Sequence, residues 1–193
     1  MAIMMDIVGA FVLVGMLMVT IMGININMSD ETYKGLTELN LQTQSIQLAR
    51  IMEFDFYKAG YNVTKPGVIA VAESSKLKFY TNLFNVPGRR DSVEYDLGSS
   101  VTSSTNPNDK SLYRYENTTR VFINFSVTRF KLSYYNSSDA ELTAPVTGSN
   151  RDSIKAIKVL LTLASPEPFD TTRSGGAKYV TTYYQKRIYP RNL

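Results

Sequence analysis

Residues 1–60 decide the fold of this chain: MAIMMDIVGAFVLVGMLMVTIMGININMSDETYKGLTELNLQTQSIQLARIMEFDFYKAG. Between Ile7 and Ile26 there is no charged residue, and most positions hold Val, Leu, Ile, Met, Phe or Ala. In helical conformation a stretch of this length extends about 30 Å, which is the thickness of one bilayer hydrocarbon core. The sequence therefore predicts a membrane-spanning helix over residues 7–26.

The helical pattern continues beyond the span, from Tyr33 to Ala59. Apolar residues recur there at helical spacing and form one face, which we expect to pack on a sheet over its C-terminal half: Leu41, Leu48, Met52 and Phe56. Four further residues are expected to widen that same face, whose first half is expected to contact other subunits: Leu36, Leu39, Ile46 and Ile51. Gly60, followed by Pro66, predicts the end of the helix. The sequence therefore predicts one continuous helix whose first half is apolar.

The remaining residues, 61–193, have the pattern of a β-rich head. All methionines lie at or before Met52, and the head is rich in Tyr, Thr, Ser and Asn. Alternating or apolar segments predict strands at Val68–Ala72, Lys76–Asn82, Val93–Leu97, Ser111–Glu116, Arg120–Asn124, Val127–Tyr135, Ile154–Ala164 and Tyr179–Tyr189. The predicted class is α+β: a long N-terminal helix (1–60) packed on a mainly antiparallel β-sheet head (61–193).

The composition argues against an enzyme. The chain has no His and no Cys, which removes the commonest general base, the thiolate nucleophile and the commonest transition-metal ligands. We predict no catalytic residue, no cofactor and no metal site. The net charge of +4 is too small for a dedicated nucleic-acid binder, so nucleic acid is not expected as the primary ligand. The basic C-terminal residues are interpreted as a solvated face, with DNA binding as the alternative: Lys178, Lys186, Arg187 and Arg191.

Asp6 is the only charged residue among the first 29, and it lies at the leading edge of the span. An acid at full depth in lipid costs up to about 3 kcal/mol and implies a partner. The alternative is that Asp6 lies at the water interface, where an acid in the first helical turn suits the helix dipole. The first cation is Lys34, so no positive charge precedes the span as a cytoplasmic anchor.

This arrangement resembles type IV pilins and pseudopilins. Mature members of that family carry a glutamate as fifth residue and a helix breaker near the twenty-second. If Met1 is removed, Ala2 becomes the first residue, Asp6 the fifth and Gly23 the twenty-second. The chain differs in having Asp in place of Glu. The resemblance implies that Asp6 pairs with the Ala2 amine of a neighbouring copy.

A finer resemblance, to W-type minor pilins and to J-type pseudopilins of type II secretion, rests on passages in the same order along the chain. They are RIMEFDFYKAGYNV (50–63), VEYDL (93–97) followed by LYRYEN (112–117), FKLSYYNSSD (130–139) followed by IKAIKVLLTLA (154–164), and the ending PRNL (190–193). Together with the N-terminal rod they extend the resemblance over nearly the whole chain.

The resemblance implies a structural subunit of an extracellular, type IV pilus-like helical filament of identical copies. The chain would reside in the inner membrane before assembly and depend there on an assembly machinery. The segment from Gly15 to Gly23 is expected to be weakly helical and to melt on assembly. The predicted assembly residues are Ala2, Asp6, Phe11, Leu13, Gly15, Leu17 and Gly23.

Two alternatives stay open. One is a minor pilin or pseudopilin, in a type II secretion system or at a pilus tip. The other, of a different class, is a membrane-anchored β-domain that binds a ligand.

Overall fold

One helix dominates the molecule in a computed structural model that describes residues 2–64, 66–169 and 176–193. Helix α1 (Ala2–Tyr57) has 56 residues, so it extends about 84 Å at 1.5 Å per residue. It continues without interruption through Gly15 and Gly23, and a Cβ added at either glycine would meet no atom within 4 Å. Melting of this segment concerns the assembled state and stays a prediction.

The head is an antiparallel sheet of eight strands. The strands are β1 (Ile69–Ala72), β2 (Lys76–Thr81), β3 (Asp91–Ser100), β4 (Lys110–Glu116), β5 (Thr119–Tyr135), β6 (Glu141–Leu142), β7 (Ala156–Ala164) and β8 (Thr181–Ile188). Their order across the sheet is β1-β2-β3-β4-β5-β7-β8, with β6 paired to β5. A 3₁₀ helix at Gly148–Ser153 precedes β7. The predicted class, a long helix on an antiparallel sheet, is confirmed.

Strand β5 corrects one detail of the sequence-based prediction. Arg120–Asn124 and Val127–Tyr135 were expected as separate strands, but both belong to β5, which has 17 residues. Its first half pairs with β4 and its second half with β7. The pairing with both neighbours is irregular next to Val127, where the alternation in the sequence is interrupted. The strand therefore shifts register there and does not end.

The core lies between the sheet and one face of the second half of α1, which packs on β7 and β8. Leu48, Met52 and Phe56 are fully buried in it, and Leu41 is nearly so. The Phe56 ring makes edge-on contacts with Phe79 and Tyr95, at centroid distances of 5.9 and 5.5 Å. The predicted sheet-facing positions of the helix are thus confirmed.

The four residues expected to widen that buried face do not lie on it. Leu36, Leu39, Ile46 and Ile51 are all exposed, Leu39 at 61% and Ile46 at 53%. At 100° per residue, Leu39 and Ile46 lie about 180° and 160° around the helix axis from Leu48. They form a second apolar side that points away from the sheet. The expectation of a single apolar face was wrong, because the apolar positions divide between two sides of the helix. That the first half of the helix contacts other subunits stays a prediction.

Gly60 joins the end of the helix to the head. Its φ of +78° is in the left-handed region, and its N–H donates to the Tyr80 carbonyl at 2.9 Å. The helix itself ends earlier, at Tyr57, and a turn connects it to Gly60. A Cβ at Gly60 would lie 2.7 Å from the backbone oxygen of Asn192. The C-terminal tail is therefore packed directly on this glycine.

We expect Gly60→Ala to destabilise the head more than Gly88→Ala. Both glycines have positive φ, so both alanines carry a strain of about 1–2 kcal/mol. Only at Gly60 does the new methyl group collide with backbone, because a Cβ at Gly88 meets nothing within 4 Å. Denaturant unfolding of the two variants in neutral detergent measures the difference. Equal losses would contradict the packing of the tail on Gly60.

Candidate functional site

The N-terminal half of α1 projects from the head with its side chains uncovered. From Ile3 to Met28 every large apolar residue is exposed, including Phe11, Leu13 and Leu17 among the predicted assembly residues. Within the described residues this is the one helix long and apolar enough to cross a membrane, by length and composition. A surface of this kind needs lipid or protein around it.

Asp6 belongs to this uncovered half and is itself exposed. Helix α1 begins at Ala2, so Ala2 and Asp6 are one helical turn apart at the start of the rod. Gly15 and Gly23 present open space on the same segment. A single chain does not test the pairing of Asp6 with the Ala2 amine of a neighbour, or the assembly role of the other residues, and both stay predictions.

The second half of α1 carries an apolar surface that faces away from the sheet. We call these residues the outward stripe: Leu36, Leu39, Ile46, Ile51, Phe54, Tyr57 and Tyr61. Six of them lie on α1 and Tyr61 follows its end, and all are exposed. From Leu36 to Tyr57 the stripe extends about 32 Å along the helix. The helix is thus apolar on two sides, of which the head covers one.

A buried ion pair holds the helix against the sheet. The Asp55 carboxylate is 2% exposed and faces Arg114 of β4, with Nε–Oδ2 at 2.7 Å and Nη2–Oδ1 at 3.1 Å. The Tyr95 hydroxyl donates to the same carboxylate at 2.5 Å. Burial, together with the charge of Asp55, raises the pKa of Tyr95. Burial alone would lower the pKa of Arg114, but the hydrogen bonds and charge of Asp55 raise it, so the guanidinium stays charged.

A second acid two residues earlier fastens the same turn of α1 to β8. The Glu53 carboxylate accepts hydrogen bonds from the Tyr184 hydroxyl and from Lys186 Nζ, the latter at 2.7 Å. Burial opposes ionisation of Glu53, but these hydrogen bonds outweigh it and lower its pKa. Glu53 and Asp55 point to different strands, which fixes the rotation of the helix about its axis. That rotation decides which residues form the outward stripe.

The long-range partner of Asp55 was missed by sequence reasoning, although a signal for it exists. Asp55 lies on the apolar face, between Met52 and Phe56, and an acid there must be paired. Its partner is 59 residues away on β4, in a strand whose alternation places Arg114 on the helix side. No local pattern identifies which cation that is.

A polar cleft of about 510 Å³ lies between α1 and two loops of the head. Its lining includes Tyr33, Asn40 and Gln44 on the helix, with Ser104 and Asp109 opposite. The Asp109 carboxylate accepts from Ser104, while its Oδ1 has no hydrogen-bond partner among the described residues; burial raises the pKa of Asp109. No cluster of three or more His, Cys, Asp or Glu suited to a metal occurs in the described part of the chain.

Removal of the Arg114 charge is expected to destabilise the head strongly. In Arg114→Met the Asp55 carboxylate stays buried with Tyr95 as its remaining partner, which we expect to cost about 3–5 kcal/mol. The matched control is Glu116→Gln, which removes the partly exposed second partner of Arg114 and should cost less than about 1 kcal/mol. Denaturant unfolding in neutral detergent reports both. Similar losses in the two variants would contradict the structural role of the buried pair.

Comparison with known proteins supports the fold. No protein-family model matches the sequence, and a search of curated protein sequences finds no match. Among solved structures, a type IV-like pilin from Thermus thermophilus is similar, with a TM-score of 0.54 and 11% sequence identity. The similarity covers 79% of this chain and 96% of that one. The chain therefore has the type IV pilin-like fold, as its resemblance to that family predicted. The finer resemblance to W-type and J-type members stays a prediction.

Proposed function

Starting from its type IV pilin-like fold, we propose that this chain is a structural subunit of an extracellular helical filament assembled through α1. The observation that carries the proposal is the uncovered apolar surface of that helix. It comprises the span on all sides and, beyond the span, the outward stripe. Copies of the same chain are the proposed partners, with the helices in the filament core and the heads outside.

The outward stripe favours assembly over permanent residence of a single chain in a bilayer. Lipid covers about 30 Å of helix, which residues 7–26 already fill. Leu36 lies ten residues further along, about 15 Å beyond the end of the span. In a membrane-anchored monomer the stripe would therefore lie in water, and each buried Leu, Ile or Phe is favoured over an exposed one by about 1.5–3 kcal/mol. Helices of other copies would cover it.

The span, like the outward stripe, needs an apolar environment around it. A segment that leaves the bilayer must exchange lipid for another apolar environment, because its side chains are exposed on every side of the helix. The exposed length from Ile3 to Met28 is about 38 Å, close to the length of the outward stripe. We propose that the stripe of one copy packs on the span of another, so that one contact covers both surfaces.

Asp6 has a defined place in this arrangement. Inside a bundle of apolar helices its carboxylate requires a positive partner, and the amine of Ala2 from a neighbouring copy would supply it after removal of Met1. Before assembly the chain would be held in the inner membrane by residues 7–26 and taken up by an assembly machinery there. After assembly it would be part of a cell-surface filament.

Electron microscopy of sheared extracellular material, with mass spectrometry of the N-terminus, tests the proposal. We expect thin filaments made mainly of this chain, beginning at Ala2. Recovery of the chain only from the membrane fraction would instead support the pseudopilin alternative. Trace amounts in filaments of another protein would support a minor or tip subunit. Either result would contradict the proposed homopolymer.

We expect Asp6→Asn to reduce filament yield by about tenfold or more, because an amide cannot form the charge pair that neutralises the amine. Membrane insertion should be unchanged, since the variant makes the segment less polar. Asp30→Asn is the matched control: it removes an exposed acid of the same helix outside the span, and its yield should equal that of the wild type. Filament mass after shearing, normalised to the membrane pool, is the measurement. Equal losses in both variants would contradict a special role for Asp6.

A further inference from the structure

The sheet surface that faces away from α1 has two halves, and they differ in whether their cations are paired with acids. On β2 and β3 the cations are neutralised by acids directly opposite them. Lys76 pairs with Asp96 at 2.8 Å and Lys78 with Glu94 at 3.0 Å. Such cross-strand pairs are the ordinary way in which a sheet carries charge.

The half formed by β5, β7 and β8 carries cations without acids. Arg129 and Lys131 lie on the solvent side of β5, because the alternate residues Phe130 and Leu132 are buried in the core. Lys158 lies on the same side of β7, next to buried Ile157 and Val159. The solvent-facing positions of these strands contain no Asp or Glu: Arg129, Lys131, Ser133, Lys158, Leu160, Thr162, Tyr183, Gln185 and Arg187.

None of Arg129, Lys131 and Lys158 has an ion pair with any described residue, whereas Arg187 pairs with Asp139 and lies over the Tyr135 ring. Lys158 is also directly opposite Arg187 in the ladder between β7 and β8. Like charges opposite each other destabilise a sheet. The ion pair with Asp139 neutralises Arg187, whereas Lys158 has no acid partner among the described residues. The location also corrects the predicted basic C-terminal face, because Lys186 points to the other side, at Glu53 on α1.

The cations are spaced like the phosphates of an extended nucleic-acid strand. Arg129 and Lys131 are two residues apart on one strand, which places their Cα atoms about 7 Å apart. Lys158 lies on the adjacent strand opposite Ser133, so it is a diagonal neighbour of Lys131 at about 8 Å. Beside them is an aromatic ring: Tyr183 is 79% exposed and opposite Thr162, which is opposite Arg129. A polyanion without aromatic groups would gain no stacking contact from this ring, whereas an unpaired base can stack on it.

We propose that Arg129, Lys131, Lys158 and Tyr183 form a binding surface for single-stranded nucleic acid. The three cations contact successive phosphates, and the Tyr183 ring stacks on a base. The surface lies on the opposite side of the sheet from α1, so helix packing in a filament leaves it open. The contact made by one head is small, and an array of heads along one strand would strengthen it through effective concentration. The proposal does not depend on filament formation, because the surface belongs to each single head.

The test measures binding of a fluorescent oligothymidylate of fifteen nucleotides to the full chain in neutral detergent micelles. Fluorescence anisotropy reports the binding over a series of salt concentrations. With about three phosphates neutralised, log K should fall with log salt at a slope of about −2. The triple variant Arg129→Gln/Lys131→Gln/Lys158→Gln should lose most of that slope and bind at least tenfold more weakly at low salt. A matched triple variant on the helix side, Arg50→Gln/Lys58→Gln/Arg191→Gln, makes the same change in net charge and should bind as the wild type does.

Tyr183 separates nucleic acid from other polyanions. Tyr183→Ala should weaken oligothymidylate binding about fivefold or more, and Tyr183→Phe should retain it, since stacking needs the ring and not the hydroxyl. The same Tyr183→Ala change should leave polygalacturonate binding unaffected. The proposal would be overturned by no binding at low salt, or by equal losses in the two triple variants. It would also be overturned if polygalacturonate or duplex DNA bound as tightly as the oligothymidylate and Tyr183→Ala had no effect.

Discussion

The buried contact between Asp55 and Arg114 is the constraint on which the rest of the molecule depends. It joins the last turns of a 56-residue helix to the fourth strand of the sheet, and Tyr95 completes the hydrogen bonding of the carboxylate. A charge pair of this kind costs desolvation and is a weak source of net stability, but it tolerates only one geometry. Together with the contact of Glu53 with Lys186 of β8, it fixes the rotation of the helix, which leaves Leu39 and Ile46 on the outside.

Because of that rotation, one apolar surface of the helix is covered by the head and another is not. The sheet covers one side of the second half, while the outward stripe and the whole span stay uncovered. A bilayer can cover the span but not the stripe, which lies beyond it, and other copies of the helix can cover both. In the proposed filament, the cost of an uncovered apolar surface in water would be the physical reason for assembly, and the fixed rotation would select which residues take part.

Much of the architecture could be predicted from the sequence, because local patterns carry it. The charge-free run from Ile7 to Ile26 and the spacing of Leu41, Leu48, Met52 and Phe56 indicate the rod and its buried face. Four residues of the outward stripe were assigned to that buried face, since periodicity alone does not separate two apolar faces of one helix: Leu36, Leu39, Ile46 and Ile51. The Asp55–Arg114 pair and the acid-free cluster on β5, β7 and β8 depend on strand order, which no local pattern specifies.

Site-specific photocrosslinking from the outward stripe tests whether the stripe of one copy packs on the span of another. Ile46 is replaced by benzoylphenylalanine, sheared filaments are irradiated, and the linked peptides are identified by mass spectrometry. Ile46 is 53% exposed on the side away from the sheet, so the probe does not disturb the core. We expect links to another copy of the chain, within residues 3–28. Links confined to lipid, to detergent or to the heads of neighbouring copies would contradict the packing of the outward stripe on the span.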